Sequence, residues 1–323
     1  MRSPRGMLPE IPLVSVVIPA YNAEATIVRA IESVFAASES AGIAAGCEVL
    51  VIDDGSQDGT SDRVRDTDHS VRLLHHPGQK NRGVSASRNL GIAASASRYV
   101  SFLDGDDTFC ANRFQCIDSI LEQDPSVDAV YGETVVVIED DSQNQSWEDG
   151  QYFGVGERCT GPELLTRLIH SNPWATSAIT TRRELFKKTG VFNEELSIAE
   201  DCHLWMRMAA VGKVVPDGVT EPVSVYHRQA QSLYRAGVDN KWHYSQALRM
   251  FYRWVKEETD QAEMVRMVRR EITDWLDNTF IQLRSERRTG TLLKMMRDWL
   301  IAAPELTARS RNVSHALHAL AGR

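Results

Sequence analysis

Short apolar runs alternate with segments of helical periodicity over the first hundred residues. The runs lie at residues 14–18, 48–52, 71–74 and 99–103. Apolar positions recur at helical spacing between them, at about residues 23–37 and 84–96, and a short helix is expected after Thr60. Strands that alternate with helices in this way predict a parallel sheet joined by crossover helices, and therefore an α/β fold.

The pattern changes further along the chain. Strands are predicted at residues 128–131 and 134–138, and the polar, turn-rich stretch 139–156 is typical of an exposed hairpin or loop. After Val238 apolar residues recur at helical spacing with charged residues between them. We therefore predict a boundary near residue 236, with a short tail over 1–12, one domain over 13–236 and a helical region over 237–323.

The composition and net charge of the chain argue against one class of function. The chain has 323 residues, 42% of them hydrophobic, and a net charge of −8, which disfavours a general nucleic-acid binder. Residues 240–323 carry 15 basic and 10 acidic side chains, or +5, against −13 for the rest. A basic end on an acidic body is compatible with solvated helix faces, and also with an anionic partner or membrane surface.

Neither export nor a disulfide framework is expected. The first residues lack the apolar core of a signal peptide, and no run approaches the roughly 20 apolar residues of a spanning helix. Five cysteines without a CxxC spacing argue for reduced thiols rather than disulfides or a thiolate zinc site. The sequence therefore predicts a cytoplasmic protein, with peripheral contact at the inner face of the membrane as an open alternative.

Polar clusters follow three of the predicted strands. They are PAYN at 19–22, DDGS at 53–56 and DGDD at 104–107. Ligands of open parallel sheets bind outside the carboxyl ends of the strands, so these clusters are expected to share one crevice.

The cluster at 104–107 concentrates carboxylates. Asp104 and Asp106 point to the same side if they retain strand alternation. Two such charges repel one another unless a cation, a proton or solvent relieves them, and oxygen ligands suit Mg²⁺ or Mn²⁺. An exposed acidic turn is the alternative interpretation of this short motif.

The segment 53–60 resembles a calcium loop only in part. Arg65 occupies the place of the glutamate that would close an EF-hand, and a strand rather than a helix precedes the loop. Asp53 is better interpreted as an acceptor for a nucleobase or ribose. The following residues, through Thr60, then form a turn that caps the next helix.

The segment 81–91 opens a helix with small residues. Its exposed amides, with Arg82 and Arg88, are suited to phosphate oxygens, and Arg88 is the stronger candidate. Ser87 and Gly91 are instead expected to permit close packing of the helix on the sheet.

Taken together, PAYNAE, VIDDGSQDGT, NRGVSASRNLG and FLDGDD resemble, in order and spacing, the donor half of family 2 glycosyltransferases. The resemblance covers residues 13–110, and a looser match to an acceptor half, 111–236, includes EDCHLW at 200–205 and YHR at 226–228. It implies a GT-A fold, Rossmann-like and mostly parallel, flanked by helices, with a C-terminal helical appendage. It also implies a nucleotide-diphosphate sugar donor, preferably UDP-linked, a divalent cation and an inverting displacement.

The resemblance also assigns roles. The donor-binding residues would be Pro19, Tyr21, Asn22, Asp53, Asn81, Arg88, Asp104 and Gly105. The metal ligands would be Asp104, Asp106 and His227. The general base would be Asp201, with Glu200 beside it. In the family an arginine and a histidine at this late position are more often separated, whereas here His227 directly precedes Arg228.

Other functions fit less well. The chain lacks the glycine-rich basic loop of sugar nucleotidyltransferases and the GxGxxG of dinucleotide-dependent dehydrogenases after the first strand. A non-catalytic nucleotide-sugar sensor or scaffold would not need the carboxylate base. A glycan, a protein or a lipid-linked molecule is open as acceptor, and so is homo-oligomerisation through the C-terminal helices. Trp174 is suited either to stacking on a sugar or to a core position.

Overall fold

The computed structural model describes residues 12–43, 46–139, 148–153, 158–228 and 240–307. The predicted tail, apart from Pro12, and the predicted boundary near residue 236 lie outside these residues. Part of the loop predicted at 139–156 lies outside them as well. The chain divides into two compact units. The first comprises residues 1–158, 174–191 and 212–232, and the second comprises 159–173, 192–211 and 233–323.

The described residues of the first unit form two sheets and several helices. The strands are β1 (Val14–Ala20), β2 (Cys47–Asp53), β3 (Val71–His75), β4 (Tyr99–Phe102), β5 (Thr108–Phe109), β6 (Ala129–Tyr131), β7 (Thr134–Ile138), β8 (Tyr152–Phe153), β9 (Ile179–Arg182), β10 (Val214–Pro216) and β11 (Ser224–Arg228). The α-helices of both units are α1 (Ile27–Ser40), α2 (Thr60–Arg65), α3 (Val84–Ala94), α4 (Gly161–His170), α5 (Phe186–Thr189), α6 (Glu200–Val211), α7 (Asn240–Glu258), α8 (Ala262–Ser285), α9 (Thr289–Ala302) and α10 (Pro304–Thr307).

The larger sheet has the order β10-β6-β9-β4-β1-β2-β3. Strand β1 runs parallel to β2 and β4, and β9 runs antiparallel to both of its neighbours, β4 and β6. Ala20 lies opposite Asp53 in the β1–β2 register, so these two strands end at the same level. The polar clusters that follow β1 and β2 therefore begin side by side, as the sequence predicts.

Strand β1 forms the centre of the core of the first unit. All seven of its residues are buried, which explains why an apolar run rather than an alternating pattern marks it. A Cβ added at Gly91 would lie 2.2 Å from Cγ1 of Val17, so α3 approaches β1 too closely for any side chain there. Gly91 is thus needed for packing, in agreement with the sequence interpretation.

The second unit is helical in its described residues. Helices α7 and α9 are joined by buried polar contacts, since Trp299 donates from Nε1 to Ser245 Oγ over 2.7 Å and Trp242 donates to Asp298 over 3.0 Å. Helices from three separate parts of the chain build this unit, so it does not correspond to one continuous segment. Among the described residues no helix is both long and apolar enough to cross a bilayer.

Candidate functional site

The loops that follow β1 and β2 are bonded to each other. The amide of Asn22 donates to Ser56 Oγ over 3.0 Å, and the amide of Gln57 donates back to Asn22 Oδ1 over 2.9 Å. Asn22 adopts a positive φ of 51°, a conformation that asparagine tolerates better than most residues. Tyr21, beside it, is half exposed. Two of the residues expected to line a nucleoside pocket thus lie on one rim of the sheet.

Asp53 ends β2 and is almost entirely buried. Its Oδ1 accepts the amide of Ser56 over 2.8 Å, and its Oδ2 accepts the hydroxyl of Ser61. Burial alone would raise the pKa of Asp53, but the hydrogen bonds from Ser61 and Ser56 outweigh it, and the pKa is lowered. Asp53 is therefore a fixed carboxylate at the strand end, and its base-reading role stays a prediction.

Asp54 is a site residue that sequence reasoning missed. Its two carboxylate oxygens accept the amides of Arg82 and Gly83, over 2.7 and 2.8 Å, at the start of α3. A Cβ at Gly55, whose φ is +78°, would lie 2.8 Å from the amide nitrogen of Asn81. These contacts hold the loop after β2 against the segment that carries Asn81. The sequence feature that could have identified Asp54 is its place between Asp53 and Gly55 at the end of β2.

Gly105, which follows β4, lies against the segment that follows β1. Its carbonyl accepts the hydroxyl of Thr26 over 2.8 Å, and a Cβ there would lie 3.2 Å from the carbonyl oxygen of Pro19. The backbone segments after β1 and β4 are therefore in close approach. The structure thus brings together the predicted donor-binding segments after β1, β2 and β4.

Arg88 is paired with Asp104 rather than exposed to solvent. Its guanidinium donates to Asp104 Oδ1 over 2.7 Å, and the arginine is buried. A charge-assisted hydrogen bond of this kind fixes the orientation of both side chains. Arg88 therefore orients the first carboxylate of the DGDD cluster, while its phosphate-binding role stays a prediction.

The remaining carboxylates of the cluster are held in an unfavourable electrostatic environment. Burial, followed by repulsion from Asp104, raises the pKa of Asp106 to about 6. Burial and repulsion from both neighbours also raise the pKa of Asp107, whose Oδ1 accepts the amide of His227 over 3.0 Å. A bound cation would relieve this repulsion.

His227 lies close to the cluster, but both of its ring nitrogens have neighbours. Nε2 is 2.9 Å from Thr108 Oγ1, and Nδ1 is 2.9 Å from Glu139 Oε1. Glu139 is also bonded to Arg29, which in turn donates to the carbonyl of Asp106 over 3.1 Å. Burial and the charge of Arg29 lower the pKa of His227. The contact between Arg29 and Glu139 could not be predicted from the sequence, because 110 positions separate the two residues.

The donor atoms fit a hard cation in part. Asp104 and Asp106 provide oxygen ligands, and Mg²⁺ is commonly held by one or two carboxylates together with substrate phosphates. The described residues contain no group of three His, Cys, Asp or Glu side chains arranged to hold a metal ion. A metal at His227 would have to displace Thr108 or Glu139. Metal binding therefore stays a prediction, and it is best suited to the two carboxylates.

Asp201 and Glu200 lie in the second unit, in the first turn of α6. Asp201 Oδ1 accepts the amide of Cys202 over 2.7 Å, and its Oδ2 accepts Nδ2 of Asn172 over 2.8 Å. Glu200 is buried. The structure thus places both predicted carboxylates at a helix N-terminus, where the helix dipole favours negative charge. Asn172 is a contact that the sequence did not predict.

Trp174, the remaining candidate, and the polar residue His76 are both buried. Trp174 is fully buried, and its ring stacks on Tyr131 with 4.4 Å between ring centroids, so the core interpretation holds. His76 is buried, with Nε2 3.0 Å from Ser87 Oγ.

Comparison with known proteins is consistent with this geometry. Residues 15–115 match the family model described as glycosyl transferase family 2. EpsJ of Bacillus subtilis (strain 168), an uncharacterized glycosyltransferase, is 30% identical over 199 residues, which cover 59% of this chain and 54% of that protein. The chain spans between 26% and 54% of the length of three such curated relatives. These matches confirm the family resemblance of the motifs.

Solved structures show the fold. Residues 1–349 of S. aureus TarS in complex with UDP-GlcNAc give a TM-score of 0.64 at 17% identity, covering 92% of this chain and 83% of that one. The mannosyltransferase PcManGT from Pyrobaculum calidifontis, in complex with GDP-Man and Mn²⁺, gives 0.55 at 16% identity, covering 99% and 84%. The chain has the GT-A fold, which confirms the predicted fold class.

Proposed function

We propose that this chain, whose residues 15–115 belong to glycosyl transferase family 2, transfers a sugar from a nucleoside diphosphate donor to a hydroxyl acceptor with inversion. The main support for the proposal is the contact between three loop segments at the carboxyl ends of the strands. The segments after β1, β2 and β4 contact one another through Asn22, Ser56 and Gly105. A family motif lies on each segment.

The donor would bind along these loop segments. Tyr21 and Asn22 would contact the nucleoside, and Asp53 would accept a hydrogen bond from the base or ribose. The segment that Asp54 holds, with Asn81, would face the diphosphate. Uridine is the preferred base, which the UDP-GlcNAc complex of the similar TarS fold supports.

Asp201 would be the general base. In an inverting displacement one carboxylate takes the proton of the acceptor hydroxyl as that oxygen attacks the anomeric carbon. Asp201 suits this role because both of its carboxylate oxygens are oriented by hydrogen bonds, from Asn172 and from the amide of Cys202. Glu200, buried beside it, is the second candidate.

Asp106 and Asp104 would hold a divalent cation. When bound, such a cation stabilises the charge that develops on the departing diphosphate. The chain's own part is to keep these two carboxylates close together, with Arg88 fixing the first of them. The Mn²⁺ complex of PcManGT supports testing manganese first.

We also propose peripheral contact with an anionic membrane through the exposed face of α9. Leu293, Leu300 and Ile301 are exposed at helical spacing, and Ile301 is 76% exposed. Lys294 and Arg297 are exposed on the same helix. Its one carboxylate, Asp298, is buried; it accepts Nε1 of Trp242 and forms an ion pair with Arg297 over 2.9 Å. Apolar side chains among cations suit the surface of an anionic bilayer.

A donor panel tests the enzymatic proposal. Calorimetry with UDP-, GDP- and dTDP-sugars, with and without Mn²⁺, is followed by measurement of nucleoside diphosphate release. Mn²⁺-dependent binding of one donor class with release of its diphosphate is expected. Binding without release would favour a non-catalytic scaffold, and nucleoside triphosphate formed from added pyrophosphate would favour a nucleotidyltransferase. No binding of any donor would contradict the proposal.

A further inference from the structure

We infer that Asn172 is a positioning residue that holds the carboxylate of Asp201 for catalysis. This inference rests on the proposed role of Asp201 as the base. Nδ2 of Asn172 donates to Oδ2 of Asp201 over 2.8 Å, while Oδ1 of Asp201 accepts the amide of Cys202 over 2.7 Å. Each oxygen of the carboxylate thus has its own donor, and the two donors come from different segments. Rotation of the carboxylate would break both bonds.

The segment that carries Asn172 is itself anchored next to α6. It follows α4, and the carbonyl of Leu168 in the last turn of that helix accepts both the thiol of Cys202, over 3.4 Å, and the hydroxyl of Tyr244. Pro173 follows Asn172 and restricts its backbone to extended conformations. The donor to Asp201 is therefore presented by a segment with little freedom to move.

The chemistry of an amide explains why asparagine suits this position. An ionised carboxylate only accepts hydrogen bonds, so the NH₂ group must face Asp201, because the reversed amide would bring two oxygens together. A lysine or arginine there would also donate, but its charge would make the carboxylate a weaker base. Asparagine orients the carboxylate without adding a charge.

A second observation argues against a purely structural role. Oδ1 of Asn172 is buried and has no hydrogen-bond partner among the residues that the structure describes. A buried acceptor without a partner costs stability, which an apolar side chain of the same shape would avoid. The asparagine is therefore unfavourable for the fold at one of its two polar atoms, and its bond to Asp201 accounts for its presence.

The test uses the full chain and water as the acceptor, with UDP release from a UDP-sugar, or from the donor that binds best in the panel above. Asn172→Leu has nearly the same shape but no donor. We expect kcat to fall about 100-fold, with the donor KM and Kd within about twofold of wild type, since a small misplacement of a catalytic group has this effect. Asn172→Ser, whose hydroxyl is too short to replace the amide, should show the same fall if the leucine variant does not fold.

The matched control is Asn193→Leu. Asn193 lies in the same unit and its Oδ1 accepts the amide of Glu195 over 2.9 Å, but it has no described contact with Asp201. This variant should keep kcat within about twofold of wild type. A comparable fall in Asn193→Leu would show a general effect on the unit and would overturn the inference.

A double-mutant cycle separates this inference from the proposed function. If Asn172 acts only through Asp201, then Asn172→Leu should change the residual rate of Asp201→Asn by less than about twofold. A further 100-fold loss in that background would overturn the inference. Wild-type kcat in Asn172→Leu, with Asp201→Asn inactive, would overturn the inference alone. Full activity of Asp201→Asn, or no UDP release by wild type, would overturn the base assignment and the inference together.

Discussion

Arg88 and Asp104 form a hydrogen-bonded ion pair of 2.7 Å in which the arginine side chain is 3% exposed and the aspartate 35% exposed. The buried member of the pair is the cation. Asp104 therefore compensates charge on a buried guanidinium, and we expect the first carboxylate of the DGDD cluster to stabilise the fold in addition to its proposed ligand role.

The first prediction separates these two roles. Asp104→Asn should lower the free energy of unfolding by about 1–3 kcal/mol, because it removes a charge-assisted bond to a buried guanidinium. Asp106→Asn should not lower it at pH 7.5, because burial and Asp104 already disfavour the charge of Asp106. Urea unfolding of both variants measures the difference. Equal destabilisation by the two substitutions would contradict this account of the cluster.

The second prediction concerns pH. The pKa of Asp106 is raised from 3.8 to about 6, so near pH 5 the native state holds a proton that the unfolded chain has lost. The stability associated with this group is therefore present below about pH 4 and is lost as the pH rises through 6. Asp106→Asn should gain up to about 3 kcal/mol relative to wild type over that range.

The measurement is unfolding of both proteins at several pH values between 4 and 7. Substitution of the exposed Asp118 by asparagine is the control for the loss of a carboxylate at the protein surface. A gain for Asp106→Asn that shrinks as the pH rises would show that the sign is wrong.

The third prediction tests the contact between the loop after β2 and the start of α3. Gly55→Ala places a Cβ 2.7 Å from the carbonyl oxygen of Gln79 and requires a positive φ. We expect a loss of about 1–3 kcal/mol of stability and weaker nucleotide binding. Gly42→Ala is the control, because Gly42 also has a positive φ but no atom of the described residues lies within 4 Å of its Cβ position. If both variants lose the same stability, the close approach has no energetic role.

The fourth prediction concerns the exposed face of α9. Ile301→Glu should reduce cosedimentation with phosphatidylglycerol-containing vesicles about tenfold, because it removes an apolar contact and adds a repelled charge. Binding by wild type should fall with added salt and be absent on phosphatidylcholine alone. Tyr152→Glu, an exposed aromatic position of the first unit, is the control. Equal binding of wild type to both lipid compositions would contradict the electrostatic part of the proposal.

Much of the donor half could be predicted from the sequence, because its signals are local. Strands β1, β2 and β4 are short apolar runs that end in polar clusters, and strand register alone brings Asp53 level with the end of β1. Strand β9 could not be predicted in the same way. Its four residues, ITTR, have no clear periodicity, and its place between β4 and β6 depends on pairings about 50 and 80 residues distant.

The long-range contacts of the site could not be predicted from the sequence either. Asn172 and Asp201 are 29 positions apart, and His227 and Thr108 are 119 apart. No local pattern encodes such contacts, since they depend on how separate elements pack. Roles for Asp106 and Asp201 could be predicted from motifs, but the hydrogen-bond and charge partners of these two residues could be identified only from the coordinates.

The most direct test of the central claim is the kinetic comparison of wild type with Asp201→Asn. Asparagine keeps the shape of residue 201 and its oxygen can still accept the amide of Cys202, but it cannot take the proton of the attacking hydroxyl. The account predicts that the donor Kd stays within about twofold while transfer or hydrolysis falls by at least about 10³-fold. Turnover at the wild-type rate in Asp201→Asn would contradict it.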